Sequence, residues 1–133
     1  MGQTLQGSGM MNWITFLTAL AMVESGNDPT AVGDRNLRNK AYGIYQIRQP
    51  YLDDVNRIGG TDLTIEDMVE SEVISRWCVI TYIKHYGRQE RTGKPLTMEI
   101  ASRLHNGGPN GYKRKSTDAH WNKMKSKLND RRD

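Results

Sequence analysis

Apolar residues dominate positions 13–23, and Trp13, Leu17 and Leu20 recur there at helical spacing, with Glu24 next on the same stripe. The pattern predicts a helix running from an N-cap at Asn12 to a left-handed stop at Gly26. Residues 27–40 lose the periodicity, and Asn27-Asp28-Pro29 and Gly33-Asp34 mark a loop. The stretch AYGIYQI, residues 41–47, is aromatic and β-branched and predicts a short strand interrupted by Gly43. A second helix is predicted over about 66–86, with Val73, Trp77, Ile80 and Ile83 facing the core and Gly87 ending it. A third starts after Pro95 with Thr97 as cap, carries Ile100, Ala101 and Leu104 inward, and stops at Gly107-Gly108-Pro109. The last, about 117–129, turns Trp121, Met124 and Leu128 inward. The order predicts an α+β domain, mostly helical, with a small sheet after the first helix.

The 133 residues show no repeat, low-complexity tract or linker, so residues 1–133 are expected to form one domain that includes the basic segment 111–133. The apolar run at 13–23 has no Lys or Arg before it and no small-residue cleavage site after it, and it is too short to span a bilayer. It reads as a core helix. No membrane span is expected, and a monomer is. Cys78 is the only cysteine and cannot form an internal disulfide. Its apolar surroundings suggest a packing residue, and no Cys/His cluster has metal-ligand spacing. No cofactor or metal is expected.

Charge is uneven. Residues 1–23 carry none, while residues 111–133 carry eight Lys or Arg against three Asp, within a net charge of +4 for the whole chain. Such a segment can bind a polyanion, whether nucleic acid, anionic lipid or an acidic wall polymer. A nucleic-acid partner is not expected, because Trp121 falls on the apolar face rather than among the exposed cations.

Glu24 is the candidate for chemistry. A carboxyl at the end of an apolar stripe is desolvated, which favours its neutral form, as a general acid requires. Asp34 lies ten residues on in a polar, Gly-containing loop that should keep it ionised. Two carboxylates in unlike environments suit glycoside hydrolysis, although a helix-end glutamate and a turn aspartate also explain them. Tyr42, Tyr45 and Gln46 could offer ring faces and an amide to a sugar, with Gly43 letting the ligand approach the backbone. An ordinary half-buried strand has the same composition. His105 and Asn106 precede Gly107-Gly108 at a helix end, and a helix stop accounts for the glycines but not for the His-Asn pair.

Four blocks together carry a resemblance. They are Glu24-Ser25-Gly26; Gly43-Ile44-Tyr45-Gln46-Ile47 with Pro50-Tyr51; Cys78-Val79 with Tyr82 and Tyr86; and residues 101–111, ASRLHNGGPNG, followed by Ser116-Thr117 and Trp121-Asn122-Lys123. The chain resembles the invertebrate-type (destabilase) lysozymes, within the wider lysozyme and lytic transglycosylase superfamily. The resemblance implies a lysozyme-like fold and hydrolysis of the β-1,4 bond between N-acetylmuramic acid and N-acetylglucosamine in peptidoglycan, or of chito-oligosaccharides. It implies Glu24 as proton donor and Asp34 as second carboxylate. Ser25, Tyr42, Gly43, Tyr45, Gln46, His105, Asn106 and Gly107 are the substrate-binding candidates. Some members are credited with an isopeptidase activity, and His105 lies in the block they share. An antimicrobial, bacteriolytic role would follow, the enzyme reaching the wall after removal of a leader or by cell or phage lysis. Family members are usually rich in disulfides, and the single Cys78 is a departure that leaves stability to core packing. Two other readings compete: a lytic transglycosylase using Glu24 alone, and a non-catalytic module that binds wall sugars.

Overall fold

The computed structural model describes residues 11–130. Its elements in order are α1 (Trp13–Ser25), β1 (Val32–Gly33), β2 (Ala41–Tyr42), α2 (Gln49–Gly59), α3 (Ile65–Glu70), α4 (Glu72–Tyr86), α5 (Gln89–Thr92), α6 (Met98–Gly107), two 3-10 turns (Gly111–Lys113 and Lys115–Thr117) and α7 (Asp118–Asp130). The chain divides into two compact units, one made of the residues up to Val23 with Ile83–Asp133, the other of Glu24–Tyr82.

The first unit is helical. Asn12 caps α1, its side chain accepting the Thr15 N–H at 3.1 Å and its carbonyl the Phe16 N–H at 2.9 Å. Phe16 and Leu20 are fully buried and Leu17 nearly so. Thr97 caps α6, accepting the Ile100 N–H at 3.2 Å. That helix buries Met98, Ile100, Ala101 and Leu104, and α7 buries Trp121, Met124 and Leu128. A buried polar contact joins these two helices, with Ser102 Oγ and His120 Nδ1 2.7 Å apart.

In the second unit β1 and β2 pair antiparallel in the register Val32↔Tyr42 and Gly33↔Ala41. The expected loop at 27–40 therefore contains a strand too short to show a period. The expected strand at 41–47 shrinks to two residues plus a bridge from Tyr42 to Ile47, because Gly43 and Gln46 adopt left-handed backbone (φ +81° and +55°) and turn the chain. Residues 48–65 include α2, which the apolar pattern missed because only Leu52 and Val55 are buried in it.

The helix expected over 66–86 is two helices. Ser71 is extended and serves both, ending α3 and accepting the Ile74 N–H at 3.1 Å as α4 begins. The break shifts the phase of the buried face to Ser75, Cys78, Val79, Tyr82 and Ile83. Val73 and Trp77, expected inside, are 67% and 40% exposed instead. Among the described residues no helix is long and apolar enough to cross a membrane.

Candidate active site

Glu24 stands half-buried in the last turn of α1, and Gly26 follows in left-handed backbone (φ +67°). The helix end is fastened by Ser25, whose Oγ donates to the Ile44 carbonyl at 2.8 Å and accepts the Asp28 N–H at 3.0 Å. Ser25 thus ties the carboxylate-bearing turn to the turn after β2.

That turn is tightly built. A Cβ on Gly43 would collide with the Met68 carbonyl of α3, so the expected space for a ligand beside Gly43 is filled by protein backbone. The Gly43 N–H donates to the Ala31 carbonyl at 2.8 Å. Gln46 Nε2 donates to the carbonyls of Gly43 (3.0 Å) and Ala31 (3.3 Å), and its amide oxygen occupies the space where Gly33 lacks a side chain. Tyr45 is 3% exposed, which gives it a packing position. Burial raises its phenol above the ordinary tyrosine range, and the charges of Arg76 and Glu72 act in opposite senses on it. Tyr42 is half-buried.

Asp34 follows β1 directly. It is exposed, in left-handed backbone (φ +53°), and its carboxylate pairs with the Arg48 guanidinium. Arg48 also donates to the Asn39 carbonyl at 2.5 Å, so one side chain spans the loop that carries Asp34. Sequence reasoning missed Arg48, because a pair between residues fourteen apart, with β2 between them, leaves no periodic signal.

Tyr51 also went unassigned in function. Its ring stacks on Tyr82, centroids 3.7 Å apart and planes 11° from parallel. Burial pushes the phenol well above its usual value, with Tyr82, Cys78 and the charge of Glu24 adding to the effect. Tyr51 therefore stays a protonated donor within electrostatic range of Glu24.

In the first unit, His105 is buried in the last turn of α6, its ring 6.3 Å from that of His120. Asn106 next to it is exposed, and Gly107 packs against the Thr117 methyl so closely that a side chain would not fit. Gly108 ends the helix with φ +85°. Two arginines hold the segment beyond. Arg91 lies over the rings of Tyr86 and Tyr112 and donates to Asn110 Oδ1 at 3.3 Å. Arg103 pairs with Glu99 at 3.0 Å and with Asp118 at 2.6 Å, and it donates to Thr117 Oγ1 at 2.9 Å. Among the described residues no group of three or more His, Cys, Asp or Glu could hold a metal ion.

Comparison with known proteins gives the fold a family. The Destabilase family model matches residues 15–127. A lysozyme from Meretrix lusoria is 35% identical over 82 residues, covering 62% of this chain and 63% of that protein. Lysozyme 1 from Crassostrea virginica is 29% identical over 110 residues, covering 83% of this chain and 56% of that protein. The chain thus spans less than two thirds of the length of these two relatives. The crystal structure of Tapes japonica lysozyme superposes with a TM-score of 0.67 at 25% identity, covering 93% of this chain and 92% of that one. The chain is mostly helical, and its two-stranded sheet after α1 together with this likeness fits the lysozyme-like α+β class. With the family model matching most of its length, the chain belongs to the destabilase family, the invertebrate-type lysozymes.

Proposed function

We propose that this protein is a peptidoglycan-degrading glycosidase, a lysozyme, with Glu24 as general acid and Asp34 as second carboxylate. The observation that carries the reading is the contrast between the two groups: Glu24 is half-buried at the end of an apolar helix, whereas Asp34 is exposed and paired with Arg48. Relatives named lysozyme support the substrate class. Glu24 would give its proton to the glycosidic oxygen as the bond to the anomeric carbon breaks. Asp34, held by Arg48, would meet the positive charge that develops on that carbon, either as nucleophile or as ion-pair stabiliser. Water would then supply hydroxyl to the anomeric carbon and return the proton to Glu24. Tyr51, a protonated donor near Glu24, would help keep that carboxyl oriented.

For substrate contacts the reading retains Tyr42, His105, Asn106 and Gly107. Ser25, Gly43, Tyr45 and Gln46 would instead shape the turn that contains Ile44. Residues 1–133 would act as a single lysozyme-like domain and as a monomer. Mass spectrometry of digested peptidoglycan tests the reaction type. Hydrolysis leaves ordinary reducing ends. A lytic transglycosylase leaves 1,6-anhydro ends, lighter by one water. Reducing ends are expected, and anhydro ends from an Asp34→Asn enzyme of unchanged activity would overturn the assignment.

A further inference from the structure

The first unit holds a pocket of about 530 Å³ that the sugar chemistry above does not use. Its size falls within the range of about 300–1,000 Å³ typical of small-ligand sites. Pro95, Ile100 and the Tyr112 ring give it apolar walls, and Lys94, Lys113 and Arg103 give it positive charge against the single carboxylate of Glu99. These charges are not equally available. Arg103 is already engaged by Glu99 and Asp118. The two threonine hydroxyls of the wall are also engaged, Thr92 with the Lys94 backbone and Thr97 as the α6 cap. Lys94 and Lys113 are exposed, and neither has a carboxylate partner among the described residues. The Lys113 ammonium stands 5.8 Å from the Tyr112 ring centroid, at the edge of the apolar wall. Apolar walls beside two ammonium groups without a carboxylate partner among the described residues suit a ligand with a small apolar body and two carboxylates.

The geometry points to a subsite for acidic peptide, and specifically for the carboxylate-bearing stem peptides that peptidoglycan carries on its sugar chain. The choice of stem peptide over other dicarboxylates rests on the proposed function, while the pocket and its charge do not. The site would hold the wall polymer by its peptide. It adds affinity for peptide-bearing wall over bare chito-oligosaccharide and takes no part in bond cleavage.

A titration of the isotope-labelled full chain with N-acetyl-L-alanyl-D-glutamic acid, followed by amide NMR, tests this. Saturable shifts are expected at Lys94, Ile100, Tyr112 and Lys113. The peptide diamide, which keeps the shape and loses both charges, should not produce them. A Lys94→Gln/Lys113→Gln variant, altered only at exposed positions and checked by an otherwise unchanged spectrum, should bind about two- to thirtyfold more weakly, as the loss of two surface ion pairs implies. No saturable shift up to about 10 mM peptide, far weaker than any useful subsite, would overturn the inference. So would shifts centred elsewhere, or equal binding of the diamide. The titration reads binding without cleavage. A chain that binds the peptide but does not lyse walls would overturn the enzyme assignment alone, and one that lyses walls but ignores the peptide would overturn this subsite alone.

Discussion

Gly43 and Asp34 show how single residues set the proposed site. At Gly43 both the backbone angle and the Met68 carbonyl exclude a side chain. Gly43→Ala should therefore lose about 2 kcal/mol or more of stability, read as a lower urea midpoint at unchanged slope. An unchanged midpoint would mean that the turn relaxes easily. Asp34 is exposed, so Asp34→Asn should fold normally while lysis falls about a hundredfold, as when one pre-organised group facing transition-state charge is removed. Glu24, Asp34 and the His105-Asn106 pair were legible as candidates from residue type and motif. The partners that give them meaning were not, because Arg48 reaches Asp34 across a loop and Tyr51 meets Tyr82 from another helix.

Helix ends were the most legible elements. Asn12, Gly26 and Thr97 were recognisable because capping chemistry is local: a short polar side chain or a glycine at a fixed offset from an apolar run. The break at Ser71 was hidden because apolar residues continue on both sides of it, and the buried face simply shifts phase. β1 was obscured for the opposite reason, since two residues cannot display a period of two, whereas β2 falls inside the expected strand and is only shorter than its aromatic and β-branched surroundings suggest. At this scale Thr97→Ala should cost about 1 kcal/mol through the lost cap. Ser102→Ala should cost about 1–3 kcal/mol by removing the buried Ser102–His120 hydrogen bond between α6 and α7. Thermal denaturation of the two variants checks both, with the larger fall expected for Ser102→Ala.

Across the whole molecule the charge is strongly divided. Residues 83–130 carry eleven Lys or Arg against four Asp or Glu, while residues 24–82 carry six against ten. The basic excess expected for residues 111–133 therefore extends through the first unit, although Arg131, Arg132 and Asp133 lie outside the described residues. Adsorption to intact cell walls should weaken steeply as salt rises through the physiological range, where the screening length is about 8 Å. Cleavage of neutral chito-oligosaccharides should change little, and salt-independent adsorption would contradict the charge argument. Stability should fall in alkali. Burial raises the Cys78 thiol from 9.0 to about 12 and also raises the Tyr51 and Tyr45 phenols. The stabilisation from these groups is complete below the unfolded thiol's range and is lost as rising pH ionises the unfolded chain first, since the folded state then binds more protons. Urea midpoints should decline as pH rises from about 9 towards about 12. A flat profile would mean that these groups are exposed. The turbidity of purified cell walls under wild type and Glu24→Gln is the most direct measurement of all, because the substitution preserves shape and removes the transferable proton. With folding confirmed by an unchanged melting temperature, the variant should lyse at least about a hundredfold more slowly, and near-wild-type clearing would contradict the assignment of Glu24 as the acid.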